Sequence, residues 1–266
     1  MTKTEQLDKL ARDGEERLLL ARALDKLETA RRRNIPACTD FLSPSERVSV
    51  ENLNAANGHP PHLFFGGYEG AERTICVFLP DWQGPEDFLA LAEEGPVRAL
   101  RCTYSADAGL THRDFLGAIL GQGISRERLG DLLVGPERCD LIVLEELAGY
   151  LLQNLDSAGR ARLKVRTIPL SALEPPEVKV KRIRDTVATP RLDAVVAAAF
   201  STSRGKAADL IAAGRVQLNY RECGKTDRLV AEGDVLSCRG LGKAVVKELG
   251  GRSKKGRVML ELERWL

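Results

Sequence analysis

Two cations sit where a helix begins, in Ser203-Arg204-Gly205-Lys206. Ser203 suits the N-cap of the second helix in a C-terminal pair; Ala207, Leu210 and Ile211 form its apolar stripe and Gly214 stops it. Arg204 and Lys206 then fall in the first turn, where the helix dipole opposes positive charge. An anion bound at that turn removes the conflict, because backbone N–H groups and side-chain cations converge on it. The chemistry expected here is the holding of phosphate, with the anion supplied from outside the chain. Other residues extend the set. Arg191 opens the preceding helix, whose stripe is Leu192, Val195, Val196 and Phe200. Arg215, Gln217 and Asn219 face outward from a strand whose Val216 and Leu218 face inward. Arg221 follows that strand. Arg239 and Lys243, with Lys247, Arg252, Lys254, Lys255 and Arg257, are expected on loops, several beside glycines where backbone can approach a ligand.

Charge is segregated along the chain. From Arg191 to Leu266 there are 15 Lys+Arg against 9 Asp+Glu, a local charge of +6; the preceding 190 residues hold 25 against 29, or −4. The whole-chain value of +2 conceals this. A basic module on a mildly acidic body has the electrostatics of a nucleic-acid reader, since phosphate contact depends on the number of cations presented.

Other chemistries fit less well. His112-Arg113-Asp114 spells the start of a kinase catalytic loop, but Ile119 stands where that loop holds its metal-binding Asn. Gly121-Gln122-Gly123 follows a helix and lacks the third glycine of a dinucleotide fingerprint. His59 and His62 lie on a Pro-stiffened loop, and three histidines within residues 59–112 assemble no Ser-His-Asp or Cys-His set. Six cysteines without a C-x-x-C pair read as buried free thiols in a reducing cytoplasm. No catalytic residue, metal site or cofactor is expected, and no apolar run approaches the roughly 20 residues of a membrane span.

The elements that must position these residues are legible from periodicity. Glu5 to about Asn34 reads as a helix with Leu20, Leu24 and Leu27 on one stripe, Leu18 near it, and Arg31–Arg33 in the last turn. Thr39-Asp40-Phe41-Leu42-Ser43-Pro44 reads as a turn before another short helix. From about His59, strands at 63–65, 74–79, 97–104, 132–134, 141–144 and 163–170 alternate with helices at 85–93, 114–120 and 145–155. That mixture predicts an α+β sandwich of ferredoxin-like type. The middle sheet lacks the exposed aromatics of a base-stacking surface, so it is expected to be a scaffold or protein-binding surface. Glu177 to Thr186 reads as a strand with one basic face. The expected organisation is α+β throughout: a helical region 1–58, a ferredoxin-like middle domain 59–173, a linker with the basic strand 174–190, and the basic module 191–266.

The run R-L-D-x-x-V…S-R-x-x-A-x-x-L-I-x-x-G-x-V-x-L-N, followed by E-G-D-V-L, resembles the RNA-binding domain named after small-subunit ribosomal protein S-four. The resemblance implies two helices beside a small sheet, gripping structured RNA, with Arg191, Ser203, Arg204, Lys206, Arg215 and Asn219 on the RNA face. That domain often has Asn-Gly after the strand; here Tyr220 follows Asn219, so a wider hairpin is expected, displacing Arg221.

Over nearly its full length the chain resembles the bacterial YlmH family, through T-D-F-L-S-P-S-E, L-T-H-R-D-F-L-G-A-I-L-G-Q-G-I, R-E-R-L-G-D-L-L-V and G-G-R-S-K-K-G-R-V. Membership implies a cytoplasmic, non-enzymatic translation factor that binds rRNA and tRNA on large ribosomal subunits, in ribosome-associated quality control of stalled peptidyl-tRNA. It implies a quality-control protein partner, a monomer off the ribosome and no membrane. Links to cell division and photosystem assembly also attach to the family. The alternative is an RNA-modifying enzyme of pseudouridine-synthase type, for which Asp107 and Asp114 are the available carboxylates.

Overall fold

In the computed structural model, which describes residues 2–176, 179–253 and 256–265, Asp13 divides the N-terminal helical segment in two. Helix α1 (Lys3–Leu10) ends at the extended Ala11, and the Asp13 carboxylate accepts the Glu16 N–H at 2.8 Å to start α2 (Gly14–Arg33) where one continuous helix is expected from periodicity. Helix α3 (Pro44–Ala56) begins in a capping box between Ser43 and Glu46. These helices share a core of Leu20, Leu24, Leu27, Val50 and Leu53; Leu18 stands off that stripe, exposed. The core is closed by one face of a three-stranded antiparallel sheet. Its strands are β1 (Ala37–Cys38), β2 (His62–Phe65) and β3 (Ile75–Phe78), in the order β1-β3-β2. The two strands expected in the middle domain from His59 onward thus pair with Ala37–Cys38 in a separate sheet.

After the short helix α4 (Pro85–Ala90), the chain follows a β-α-β-β-α-β course. It comprises β4 (Val97–Thr103), α5 (His112–Leu120), β5 (Leu129–Val134), β6 (Arg138–Leu144) and α6 (Glu145–Asn154). A minimal hairpin, β7 (Ser157–Ala158) and β8 (Ala161–Arg162), precedes the closing strand β9 (Lys164–Ile168). The sheet order is β5-β6-β4-β9, with every pairing antiparallel. This is the ferredoxin-like arrangement. Alternation sends Leu100, Cys102, Leu141 and Val143 against Phe115 and Ile119 of α5 and Leu151 of α6. The other face sends Val97, Ala99, Ile142, Leu144 and Ile168 against Phe41, Ile75, Val77 and Phe88. Over that part of the sheet both faces are covered, so no stacking platform is open there. Burial pushes the facing thiols of Cys102 and Cys139 up, as expected for inert core cysteines.

Contacts divide the chain into two units, Met1–Pro176 and Glu177–Leu266. The second is one six-stranded antiparallel sheet with two helices on one face. Its elements are β10 (Val180–Val187), α7 (Leu192–Ala199), α8 (Arg204–Ala212), β11 (Val216–Leu218), β12 (Arg221–Glu222), β13 (Val235–Cys238), β14 (Gly242–Arg252) and β15 (Val258–Trp265). The strand order is β10-β15-β14-β13-β11-β12. Leu192, Val195, Val196, Ala207, Leu210 and Ile211 pack on Val216, Leu236, Ala244, Val246 and Leu262. Two expectations change here. The basic strand of the 174–190 segment is an edge strand of this sheet, paired with β15 from Val180 to Val187; Glu177 and Val178 lie outside the described residues. Residues 242–252, expected as loop, form the long strand β14. Its glycines obscured the alternation of buried Ala244 and Val246 with Lys243, Val245 and Lys247, and two bulges accommodate them. Among the described residues, no helix is long and apolar enough to cross a membrane.

Candidate nucleic-acid interface

Helix α8 starts as its sequence predicts: the Ser203 hydroxyl accepts the Lys206 N–H at 3.2 Å, so this hydroxyl is a cap. Arg204 extends from that turn to Asp193, with Nη2 donating to Oδ2 at 2.9 Å. Arg191, the N-cap residue of α7, reaches the same carboxylate through Nε at 3.3 Å and Nη2 at 3.2 Å. Asp193 is buried. The anion that justifies Arg204 at a helix start is therefore inside the chain, which corrects the expectation of an external one. Lys206 is exposed and has no carboxylate partner among the described residues. It is the cation of this turn that still faces the dipole without an answering charge.

The pinned arginines border a cavity of about 310 Å³ between the end of β10 and the α7–α8 corner. Thr186, Thr189 and Thr202 line it, with Asp185 and Arg257. Arg257 is fixed there: its Nε donates to Thr186 Oγ1 at 3.0 Å and its Nη2 to the Thr186 carbonyl. Burial disfavours the ionised Asp193, but hydrogen bonds from Arg204 and Arg191 outweigh it and hold the carboxyl below its ordinary value. Stability from this lowered pKa is present above about pH 4 and lost on acidification through the folded-state value. Asp193→Asn is expected to cost about 1 kcal/mol at pH 7, a figure reduced for the exposure of both guanidiniums. Thermal melts of the two proteins should converge as the pH falls below about 4; a gap independent of pH would show that the ion pairs contribute nothing.

The remaining candidates form a second group, separated from the first by the nine residues of α8, about 13 Å. Arg215 donates from Nη2 to the Arg239 carbonyl at 2.8 Å, and the Arg239 N–H donates to the Arg215 carbonyl at 2.9 Å. Both side chains are exposed, and neither has a carboxylate partner among the described residues. Lys243 stands on β14, not on a loop, with its Nζ 5.1 Å from the Tyr220 ring centroid and 4.4 Å from that of Trp265. Asn219 serves the turn itself, since its Oδ1 accepts the Val235 N–H at 2.9 Å and its Nδ2 donates to Asp234 at 2.8 Å. The expected wider hairpin is absent. Leu218 pairs directly with Arg221, so Asn219 and Tyr220 make a two-residue turn with φ of 52° and 62°, the pattern of a type I′ turn without glycine. Arg221 thus starts β12, in register with its neighbour.

Not every cation of the C-terminal unit is presented outward. Arg184 is bound by Glu261 at 2.8 Å, Arg182 by Glu263 at 3.4 Å, and Lys247 by the same Glu263 at 3.3 Å. The basic face read in β10 is largely neutralised across the sheet. Lys254 and Lys255 lie outside the described residues. Sequence reasoning missed Asp193 as the pin and Arg257 as a wall of the cavity. An acid in the first turn of α7 looks like ordinary dipole compensation, so nothing flagged the former.

In the first unit, Asp114 is a cap: its Oδ2 accepts the Thr111 N–H at 2.8 Å and hydroxyl at 2.6 Å. Asp107 lies exposed in a short 3₁₀ turn. Among the described residues, no group of three or more His, Cys, Asp or Glu could hold a metal ion.

Comparison with known proteins adds the following. Residues 190–236 match the family model described as "S4 domain". Residues 99–172 match one described as "Putative RNA-binding domain in YlmH", a description that differs from the scaffold role expected of the middle sheet. The chain is 32% identical over 253 residues to the "Ribosome-associated protein quality control protein P2" of Bacillus subtilis (strain 168), covering 94% of this chain and 95% of that protein. A solved structure, "Cell division protein ylmH from Streptococcus pneumoniae", is 20% identical and aligns over 60% of this chain and 95% of its own, with a TM-score of 0.49.

Proposed function

The chain belongs to the YlmH family of RNA-binding proteins, and on that premise we propose that it is a translation factor that holds rRNA and tRNA phosphates on the large ribosomal subunit. The observation that carries the reading is the paired presentation of Arg191 and Arg204 on buried Asp193, beside Lys206, which has no carboxylate partner among the described residues. Two guanidiniums fixed by one carboxylate keep donor edges free for phosphate and lose little rotamer freedom on binding. Arg215 and Arg239 offer a second contact one helix length away. The stage served is quality control of stalled peptidyl-tRNA, in line with the name of the Bacillus subtilis relative.

The protein acts by position. It docks its C-terminal unit between RNA elements in the cytoplasm, arrives as a monomer, and leaves other surfaces to a quality-control partner. A modifying activity has no support from the carboxylates proposed for it, since Asp114 is occupied as a cap. With about 4 to 6 phosphates neutralised, the logarithm of affinity should fall with that of salt concentration at a slope of about −3 to −5. Co-sedimentation with purified large subunits across a salt series measures this; a slope near zero would rule out phosphate-driven docking.

A further inference from the structure

The ferredoxin-like sheet β5-β6-β4-β9 has two edges, and they differ. At β5 a bulge between Leu129 and Leu132 breaks the ladder. The Asp131 carboxylate then ties a loop to that strand, accepting the Tyr68 hydroxyl at 2.8 Å and the N–H groups of Glu72 and Arg73 at 2.7 and 3.1 Å. Such blunting keeps an edge from pairing with another chain. Among the described residues, β9 carries neither device. Its register with β4 is unbroken from Lys164 to Ile168, and Lys164, Arg166 and Thr167 are exposed.

Alternation identifies the backbone groups on the open side of β9. The Tyr104 N–H donates to the Glu137 carbonyl at 3.0 Å, so Tyr104 faces β6. Thr103, Arg101 and Ala99 therefore turn their amide groups to β9, and their partners Lys164, Arg166 and Ile168 turn theirs back. Val165 and Thr167 are left with N–H and C=O directed away from the sheet. This open stretch has definite ends: the Leu163 N–H donates to the Asp156 carbonyl at 2.8 Å, and Pro169 has no N–H. Side chains give the edge a sign. Val165 and Ile168 pack into cores on opposite faces, so Lys164 and Arg166 share the face of Ile168, where Arg166 lines a groove of about 730 Å³. Neither cation has a carboxylate partner among the described residues.

We propose that β9 is a docking edge for an extended acidic segment of a protein partner, which adds to the sheet as a further strand with carboxylates at two positions two residues apart. The backbone of such a segment satisfies the outward N–H and C=O groups of Val165 and Thr167. Its residues opposite Lys164 and Arg166 form non-hydrogen-bonded pairs, whose Cα atoms stand closest, at about 4.5 Å. Opposite charges in such pairs stabilise the ladder. A second copy of β9 on this edge sets cation against cation, which opposes self-pairing. RNA has no alternating series of N–H and C=O groups, so it would leave the open amides unmatched. The proposal rests on neither RNA assignment.

The test uses the full chain and a fluorescein-labelled peptide of about eight residues in which Glu alternates with Val and Thr. Anisotropy is expected to show saturable binding below about 1 mM. Methylating two central peptide nitrogens keeps the charge, removes the donors and should weaken binding about tenfold. Thr167→Pro removes one outward N–H at a place where an edge strand tolerates Pro, and should weaken it by a similar factor, with a thermal melt to confirm folding. Lys164→Glu/Arg166→Glu should weaken the acidic peptide about tenfold and gain binding to a peptide with Lys in place of Glu. The proposal is overturned if no saturable binding occurs, or if the charge-reversed protein does not exchange one peptide for the other. It is also overturned if the folded Thr167→Pro protein and the methylated peptide bind like their parents, or if mixed-sequence RNA of equal charge displaces the labelled peptide at a lower concentration than unlabelled peptide does. Arg204→Gln/Lys206→Glu, which tests the C-terminal reading, should leave peptide affinity unchanged; a tenfold loss there would place the peptide on the C-terminal unit and remove the site on β9.

Discussion

Arg204→Gln/Lys206→Glu is expected to lower affinity for large ribosomal subunits about 100-fold, or about 2.7 kcal/mol. Two charge-assisted contacts are lost, each worth about 1.5 kcal/mol or more. The choice of Gln at 204 follows from the structure. A Glu there would stand beside buried Asp193, 2.9 Å from the present Arg204 Nη2, and like charges at that separation would disturb folding and blur the result. Gln keeps a donor for Asp193 while removing the charge. Lys206 is exposed and tolerates full reversal. Sedimentation at about 100 mM salt, where screening leaves phosphate contacts measurable, reads the effect, with a thermal melt to confirm folding. Wild-type sedimentation by the folded double variant would sink the assignment of this face. Arg182→Gln/Arg184→Gln makes the complementary control: it removes the same number of cations from β10, but those are already answered by Glu263 and Glu261. Little loss is expected there, so the comparison separates cations placed for phosphate from cations already paired.

That distinction marks what could be read from residues alone. The stripes Leu192-Val195-Val196 and Ala207-Leu210-Ile211 place both helices because apolar spacing at 3.6 residues has few other solutions. The β-α-β-β-α-β course was visible because each strand is a short apolar run between turn signals. What stayed hidden depends on partners distant in sequence. The strand Val180–Val187 looks like a linker until the far end of the chain pairs with it, Val180 against Trp265 and Val187 against Val258. The first-turn cations looked as if they called for an outside anion because Asp193 lies on another helix. The tight turn at Asn219-Tyr220 violates the glycine rule, and a left-handed Tyr costs about 1 kcal/mol. Bonds from Asn219 to Asp234 and Val235, and Lys243 over the Tyr220 ring, offset that locally.

Phe41 is the other residue whose role could not be read locally, and its loss is expected to be the most damaging to stability. In sequence it lies in a turn before α3. In the structure it is fully buried, packed with Ile75 and Val77 of one sheet and Ile142 of the other. Its N–H donates to the Glu127 carbonyl at 2.8 Å, and its carbonyl accepts from Arg73 Nη2 at 3.1 Å. Phe41→Ala is expected to cost about 4 kcal/mol through lost burial and the cavity left behind. Gly130 is the socket for the ring: a Cβ there would lie 2.8 Å from Phe41 Cε1 and 3.0 Å from Ile142 Cγ2. Gly130→Ala alone should therefore cost about 2 kcal/mol by overpacking. In Phe41→Ala/Gly130→Ala the ring that makes the first clash is gone and the added methyl fills part of its space. The double variant should be more stable than the sum of the two losses predicts, by about 1 kcal/mol or more. Denaturant unfolding of the four proteins measures the coupling. Strict additivity would mean that the ring does not set the glycine at 130.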